Sequence, residues 1–234
     1  VSDGVQDIEW LDGFHGLMPY GLDHHASQNA PFICQGYLKI DGLDENLPFY
    51  RFLDAPSYLH VVPDRPAGNF YFGFVDGQAA ALPVVVDGDR LFGEGGSLAY
   101  PGPFVEGRPL DLPTQKTDCM TASAFVRVQS QLAPGESVTV HTLCGSAADL
   151  PTARAFKEQV MTPGWVAEKQ QQAETEVEKV RHRFFVHCGE PLLNEYIPQT
   201  FLDNVLRGGL PITLKCGGKS HNLHVFNRVH GDLE

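Results

Sequence analysis

The sequence predicts a mainly β fold, in which an antiparallel β-sandwich is followed by helices. Between positions 58 and 145, runs of β-branched and aromatic residues are separated by Gly, Pro and Asp, the usual pattern of strands joined by turns. One run, TASAFVRVQSQL, alternates Ala and Val with mostly polar residues, so one of its faces needs a second layer to cover it. After Asp149 the apolar residues recur at the three- and four-residue spacing of amphipathic helices.

Five runs are predicted to be strands: YLHVV, NFYFGFV, ALPVVVD, TASAFVRVQSQL and ESVTVHTLCG. The apolar face of the fourth run is formed by Ala122, Ala124, Val126 and Val128. Turn sequences at Asp87-Gly88 and Pro134-Gly135 are expected to join neighbouring strands as antiparallel hairpins. The first fifty residues, rich in Gly, Pro and Asn, predict long loops and short strands.

Three amphipathic helices are predicted to follow. The first has apolar residues at Leu150, Ala153, Phe156 and Val160, and the second has them at Val166, Ala173, Val177, Val180 and Phe184. Pro163-Gly164 separates these two helices, and the third helix begins its apolar face at Leu193 and ends at Gly208-Gly209. A hairpin around Gly217-Gly218 comes next. The change of composition marks Asp149 as a domain boundary.

The composition is that of a folded protein with an acidic surface. The chain has 234 residues, 42% of them hydrophobic, and a net charge of -12. Phosphate backbones and anionic headgroups repel such a surface, so we predict no nucleic-acid or membrane partner. No apolar run approaches the roughly 18 residues of a transmembrane helix. Five cysteines without CxxC spacing argue against a disulfide framework or zinc finger and fit a reducing, cytoplasmic location.

The sequence predicts neither a metal nor a nucleotide site. One candidate metal group consists of Cys188, Cys216, His221, His224 and His230. His221 and His224, however, would point to opposite faces of a predicted strand and could not jointly clamp one ion without a bulge. Asp23-His24-His25 is interpreted as a solvated turn, with a catalytic or metal cluster as the alternative. Nucleophile-elbow and phosphate-loop motifs are absent. A catalytic pair cannot be selected from 29 acidic residues by sequence alone.

The charged segment near the end of the chain is the candidate binding loop. Arg228, His230 and Asp232 lie close to the aromatic Phe226. Charged donors and acceptors beside an aromatic face suit contact with sugar hydroxyls or with phosphate. A solvated surface loop is the alternative interpretation.

Three stretches of the chain carry a family resemblance. They are GLMPYGLDHHASQNAPF near the start, LFGEGGSLAYPGPFVEGRPL with QLAPGESVTVHTLCGSAADLPTARAF in the middle, and FLDNVLRGGLPITL followed by HVFNRVHGDLE at the end. Together they resemble glycoside hydrolase family 94, the inverting disaccharide and oligosaccharide phosphorylases, and especially its 1,2-β-oligoglucan phosphorylase branch. The last pair is the most specific.

The resemblance implies an architecture of three parts. Residues 1–148 would form a large sandwich of the supersandwich type, residues 149–190 a helical linker, and residues 191–234 the beginning of an (α/α)6 catalytic barrel. The catalytic acid of the family would then lie beyond residue 234, so that no catalytic residue is assigned within this chain. Asn204 and Arg207 would be structural anchors at the end of the first barrel helix.

The resemblance also implies the chemistry. Inorganic phosphate would attack a β-glucosidic bond, as in cleavage of β-1,2-oligoglucans, and release glucose 1-phosphate without a cofactor or metal. Arg228, His230 and Asp232 would then lie on the substrate side of the barrel. The partners would be the oligosaccharide, phosphate and the remainder of the barrel, and a homodimer is compatible with them. The alternatives are a non-catalytic carbohydrate-binding or interaction module, or part of a glycoside hydrolase or transglycosylase.

Overall fold

A computed structural model of the protein describes residues 4–17, 36–53, 68–95, 97–110, 112–208 and 212–223. The helices and strands, in chain order, are β1 (Gln6–Leu17), β2 (Leu38–Asp41), β3 (Phe49–Phe52), β4 (Gly68–Val75), β5 (Val84–Asp87), α1 (Asp89–Phe92), α2 (Gly102–Val105), β6 (Ala122–Leu132), β7 (Val140–Ala147), α3 (Leu150–Val160), α4 (Trp165–Arg181), α5 (Pro191–Gly208), β8 (Ile212–Cys216) and β9 (Lys219–Leu223). The chain divides into two compact units, Val1–Pro163 and Gly164–Glu234.

The first sheet has three antiparallel strands in the order β1-β6-β5. Strand β1 has 12 residues, longer than the short strands predicted for this part of the sequence. Its pairing with β6 shifts by one residue between His15 and Leu17, so that Leu17 lies opposite Ala122. Gly16, with a φ of 86°, is the extra residue of this β-bulge, where a positive φ favours glycine.

The second sheet has four antiparallel strands in the order β2-β3-β4-β7. Along β4, the rings of Phe70, Phe72 and Phe74 stack on one face, with successive centroids 6.1 Å and 6.5 Å apart. Tyr71 and Gly73 alternate with them and therefore point to the other face. A Cβ on Gly73 would lie 2.8 Å from a methyl group of Val126 in the first sheet. The missing side chain lets the two sheets approach closely at this point.

Side chains from both sheets form one hydrophobic cluster. Its buried members are Leu17, Leu38, Ile40, Tyr50, Tyr71, Val84, Val86, Ala122, Ala124, Val126 and Val128. The four apolar residues predicted to share one face of β6 are all fully buried here, which confirms that prediction. On the opposite face of the first sheet, Val85, Leu91 and Leu110 form a smaller cluster. The first sheet therefore has apolar packing on both faces.

Two buried tyrosines hydrogen-bond to the backbone of the first sheet. The hydroxyl of Tyr50 donates to the Ser123 carbonyl oxygen at 2.8 Å, and that of Tyr71 donates to the Asp12 carbonyl oxygen at 3.0 Å. Burial raises the pKa of Tyr50 well above its ordinary value and raises the pKa of Tyr71 to about 12. Both hydroxyls are thus held in the neutral, donating form.

Both hairpin predictions within this unit are wrong. After Asp87-Gly88 the chain enters the short helix α1, because an Asp87 side-chain oxygen accepts from the Asp89 amide at 3.2 Å. The turn at Pro134-Gly135 is present, with Gly135 at a φ of 82°. It joins β6 of the first sheet to β7 of the second, so these two strands do not pair. Turn chemistry alone did not reveal which strands become neighbours.

Helix α3 packs on the first unit. Asp149 caps its beginning by accepting from the Thr152 amide at 2.8 Å, and Ala153 and Val160 are buried. Its Phe156 ring lies 5.7 Å from the Phe70 ring of β4. The prediction of an amphipathic helix beginning at Leu150 is therefore confirmed, and the helix belongs to the same compact unit as the sheets.

An ion pair adds to the packing of α3. The Arg154 guanidinium donates to both carboxylate oxygens of Glu45, at 2.7 Å and 2.5 Å, and the Lys157 ammonium donates to the Glu45 carbonyl oxygen at 2.6 Å. The hydrogen bond from Arg154 lowers the pKa of Glu45. The carboxylate is therefore ionised, and the ion pair formed, at neutral pH.

The second unit contains α4, α5 and the β8–β9 hairpin. Helices α4 and α5 are joined by an Arg181–Glu195 ion pair of 3.0 Å, and the rings of Phe184 and Phe201 lie 5.7 Å apart. Pro198 lies inside α5 rather than at its first turn. The predicted hairpin at Gly217-Gly218 is confirmed, and both glycines have the positive φ of a two-residue hairpin turn.

The structure confirms part of the predicted fold class, namely antiparallel sheets followed by helices. The described chain has antiparallel sheets followed by helices, and the helices contribute enough that the class is mixed α and β rather than mainly β. Among the described elements there is no closed barrel. The sandwich classification remains a prediction.

Candidate functional site

A cavity of about 230 Å³ in the first unit is the candidate site, which we call the His15 pocket. It forms where the end of β1, the end of β5 and helix α1 meet. Its polar lining includes His15, Asp87, Asp89 and Thr121. Its apolar lining consists of Phe92, Leu98 and Met120. The site therefore combines a few polar groups with an apolar wall, as small-molecule sites usually do.

The position of His15 depends on two neighbours. Its Nδ1 atom lies 2.8 Å from the Ser123 hydroxyl, within hydrogen-bond distance. Its ring also occupies the space where a side chain on residue 88 would be, because a Cβ on Gly88 would lie 2.8 Å from the ring Cε1. Burial lowers the pKa of His15, and the nearby Asp89 carboxylate opposes this shift only in part. The imidazole is therefore neutral at neutral pH.

The serine–histidine pair is not a catalytic nucleophile and base. Such a pair needs a serine hydroxyl that a substrate can reach. Ser123 is fully buried, with 0% of its surface exposed, and its carbonyl oxygen accepts the Tyr50 hydroxyl. The pair holds the histidine ring in place instead.

Asp87 is a structural carboxylate at the back of the pocket. It is 6% exposed, and its oxygens accept from the amides of Asp89 and Lys116, each at 3.2 Å. The Arg90 side chain lies 3.4 Å away and compensates its charge. Gln115 fixes the end of β5 by accepting from the Val86 amide at 2.7 Å. These contacts leave Asp87 little capacity to bind a ligand.

Three polar groups of the pocket remain available. They are the Nε2 atom of His15, the Asp89 carboxylate and the Thr121 hydroxyl, none of which hydrogen-bonds to another part of the chain that the structure describes. Asp89 is exposed and Thr121 is half-buried. Together they offer an acceptor, a hydroxyl and one ring nitrogen to an entering molecule.

The second unit carries an apolar face on α5. Leu192, Tyr196 and Leu206 are 79%, 65% and 74% exposed, and their spacing places them along one side of the helix. A cavity of about 570 Å³ between α4 and α5 is lined by Arg181, Leu192, Leu193, Glu195, Tyr196 and Gln199. Large apolar side chains at this exposure are typical of surfaces that pack against another structure.

None of the site residues predicted from the sequence is among the described residues that line the His15 pocket. The predicted substrate-binding residues Arg228, His230 and Asp232, like Asp23-His24-His25, lie outside the described residues. Asn204 is half-buried in α5, and Arg207 belongs to the same helix. Their predicted anchoring role remains a prediction.

The His15 pocket could not be predicted from the sequence, because its residues are far apart in the chain. His15 and Ser123, which touch, are separated by 108 positions. The one local signal was Asp87-Gly88-Asp89, which resembles an ordinary turn. Only the antiparallel pairing of β6 with both β1 and β5 brings these segments together.

The described residues contain no metal-binding cluster and no helix that could span a membrane. No cluster of three or more His, Cys, Asp or Glu side chains suited to a metal ion occurs within them. Each helix in the described ranges is too short or too polar to traverse a lipid bilayer. A comparison with models of protein families gives no match, and a comparison with curated proteins gives none either.

Proposed function

We propose that residues 1–234 are the scaffold portion of an inverting glycoside phosphorylase of family 94. The enzyme would cleave β-glucosides, in particular β-1,2-oligoglucans, with inorganic phosphate and give glucose 1-phosphate. The observation that carries the proposal is the paired motif FLDNVLRGGLPITL and HVFNRVHGDLE, at and after the end of α5. The protein would act in the cytoplasm without a cofactor, and this chain alone would be inactive.

The order of elements supports the proposal. Two antiparallel sheets with a shared hydrophobic cluster come first, then α3 and α4, then the long helix α5. In the proposed enzyme the sheets belong to the family's sandwich, α3 and α4 to its linker, and α5 is the first helix of the (α/α)6 barrel.

The apolar face of α5 gives further support. Leu192, Tyr196 and Leu206 are mostly exposed, whereas the helices of a barrel bury such side chains against their neighbours. In the proposed enzyme the remainder of the barrel covers this face. A homodimer interface elsewhere on the chain is compatible with the same assignment.

In the proposed reaction, phosphate is the nucleophile and the barrel supplies the general acid. A carboxylic acid in the remainder of the barrel protonates the leaving glucosidic oxygen, and phosphate attacks the anomeric carbon from the opposite face, in place of the water of an inverting hydrolase. Arg228 and His230 are suited to donate to phosphate or to sugar hydroxyls, and Asp232 is suited to accept from them.

The test uses the complete protein that contains this chain. It is incubated with sophorose-type oligoglucans with and without phosphate, and glucose 1-phosphate is assayed. We expect product only when phosphate is added, and lower turnover when Arg228→Ala or Asp232→Ala is introduced. Arg108→Ala, which removes an exposed ion pair with Glu106, is the control and should leave turnover unchanged.

Other outcomes assign other functions. Phosphate-independent release of free sugar would indicate a hydrolase, and transfer of glucosyl units between oligosaccharides would indicate a transglycosylase. Binding of oligosaccharides without any cleavage would indicate a carbohydrate-binding module. Each of these results would reject the phosphorylase assignment.

A further inference from the structure

We infer that the His15 pocket binds a small neutral ligand rich in hydroxyl groups, of the size of a single monosaccharide ring. The inference goes beyond the proposed function, because it concerns residues of the first unit that the proposed reaction does not use.

The size of the pocket limits the size of the ligand. The pocket has a volume of about 230 Å³, which is below the roughly 300 to 1,000 Å³ of sites for drug-sized ligands. It is far larger than the roughly 30 Å³ that one water molecule occupies in the liquid. A ligand of one small ring therefore suits the space, and a nucleotide does not.

The available hydrogen-bonding groups of the pocket suit a ligand with several hydroxyls. The neutral His15 ring presents Nε2, Asp89 presents a carboxylate, and Thr121 presents a hydroxyl, all lining the same cavity. A hydroxyl both donates and accepts, so adjacent hydroxyls on one ligand can satisfy a carboxylate, a hydroxyl and either tautomer of the imidazole.

The charge of the lining disfavours several ionic ligands. Arg90 compensates Asp87, and burial keeps His15 neutral, so Asp89 supplies the uncompensated charge among the described residues that line the pocket. That carboxylate repels anions such as phosphate. Ca²⁺ requires six to eight oxygen ligands, and the described residues offer no such group of side chains. An anion and a calcium ion are therefore disfavoured, whereas a neutral polyhydroxyl ligand can donate to the carboxylate, and methylammonium serves as the test for a cationic ligand.

The pocket also has apolar lining residues. These are Phe92, Leu98 and Met120, of which Leu98 is 59% exposed. Sugar rings carry apolar C–H faces between their hydroxyls, and these faces pack against aromatic and aliphatic side chains. The lining therefore complements both the hydroxyl groups and the apolar C–H faces of a sugar ring.

Neighbouring residues hold His15 and Asp89 in position. Ser123 and Gly88 fix the His15 ring, and Asp87 holds the first turn of α1 through the Asp89 amide. Preformed contacts of this kind lower the cost of ordering a site when a ligand enters.

The experiment titrates the 234-residue chain with D-glucose, with sophorose and with myo-inositol, and follows binding by ligand-observed NMR and calorimetry. We expect at least one of these ligands to bind. Asp89→Asn and Thr121→Val should each weaken binding, by about tenfold for the charged group. Comparison of glucose with sophorose distinguishes a free monosaccharide from the end of a longer chain.

The matched control is Glu94→Gln, which removes the same charge from the same segment at a side chain that does not line the pocket. It should bind as the wild type does. Circular dichroism and urea unfolding verify that each variant is folded. In the same assay, methylammonium represents a small cationic ligand. The inference is overturned if none of the three hydroxyl-rich ligands binds, or if Asp89→Asn and Thr121→Val both bind them as the wild type does. It is also overturned if methylammonium binds instead of these three ligands. Because this assay requires no phosphate and no catalysis, it can fail independently of the phosphorylase proposal.

Discussion

At the scale of single residues, Tyr50 and Tyr71 connect the two sheets most directly. Each is buried among apolar side chains and uses its hydroxyl to satisfy a carbonyl oxygen of the other sheet. A buried carbonyl oxygen without a hydrogen-bond partner is costly. Removing either tyrosine hydroxyl should therefore destabilise the fold by more than the small net contribution of one hydrogen bond. They also make the first unit sensitive to high pH.

The residue-scale prediction follows from the raised pKa of Tyr71. The ordinary pKa of tyrosine is about 10, and that of folded Tyr71 is about 12. The folded state therefore favours the protonated phenol, and this contribution to stability is complete below pH 10 and is lost as the pH rises to about 12. We expect urea midpoints to fall over this interval, and to fall less steeply in Tyr71→Phe.

The control for this prediction is Tyr100→Phe, which alters a ring that is 58% exposed. Its urea midpoints should follow the wild-type pH dependence. If Tyr71→Phe also followed the wild-type dependence, the phenol of Tyr71 would not be responsible for the alkaline loss.

Residue burial could be predicted from the sequence where it depends on local alternation. The period-two pattern of β6 identified Ala122, Ala124, Val126 and Val128 as one core face, and all four are buried. The tyrosine bonds could not be predicted, because Tyr50 and Ser123 are 73 positions apart. Nothing in the local pattern of either segment encodes that contact.

At the scale of elements, α3 is held to the first unit by apolar packing and by the Arg154–Glu45 pair. The pair is partly exposed, so solvent screens it and its contribution is modest. The lowered pKa of Glu45 means that this contribution is present above the ordinary glutamate pKa of about 4.3. It is lost as the pH falls through the lowered value.

The element-scale prediction is that Arg154→Gln increases amide hydrogen exchange within α3. The protection factors should fall by less than about tenfold, as expected for a screened pair. Acidifying the wild-type protein below the Glu45 pKa should have a similar effect. Arg108→Gln, which breaks an exposed pair outside α3, serves as the control. Unchanged exchange in Arg154→Gln would show that packing alone holds the helix.

Elements were predicted better than their connections. The spacing of apolar residues located α3, and the two glycines located the β8–β9 turn. The turns at Asp87-Gly88 and Pro134-Gly135 were predicted as hairpins, but strand pairing depends on tertiary packing that a turn sequence does not contain. Strand β6 pairs with β1, more than 100 positions earlier.

At the scale of the whole molecule, the chain divides into its two compact units after Pro163. The change of sequence pattern at Asp149 predicts that the first domain ends at residue 148. Helix α3 lies between the two positions. The helix buries Ala153 and Val160 and contacts Phe70, so a fragment that lacks it exposes apolar surface of the second sheet.

The corresponding prediction compares two truncated chains. Residues 1–163 should unfold cooperatively, and residues 1–148 should be less stable by at least about 2 kcal/mol, given the apolar area that α3 buries. Urea unfolding followed by tryptophan fluorescence measures the difference. Equal stabilities would show that α3 does not contribute to the stability of the first unit.

The β-bulge near the end of β1 determines which of its side chains face the other sheet. Along a regular strand, residues 15 and 17 would point to the same side. The additional residue at Gly16 reverses this alternation, so that Leu17 joins the cluster between the sheets while His15 stays on the outer side, next to α1. Deleting or inserting one residue there would exchange the inward and outward positions at the end of the strand.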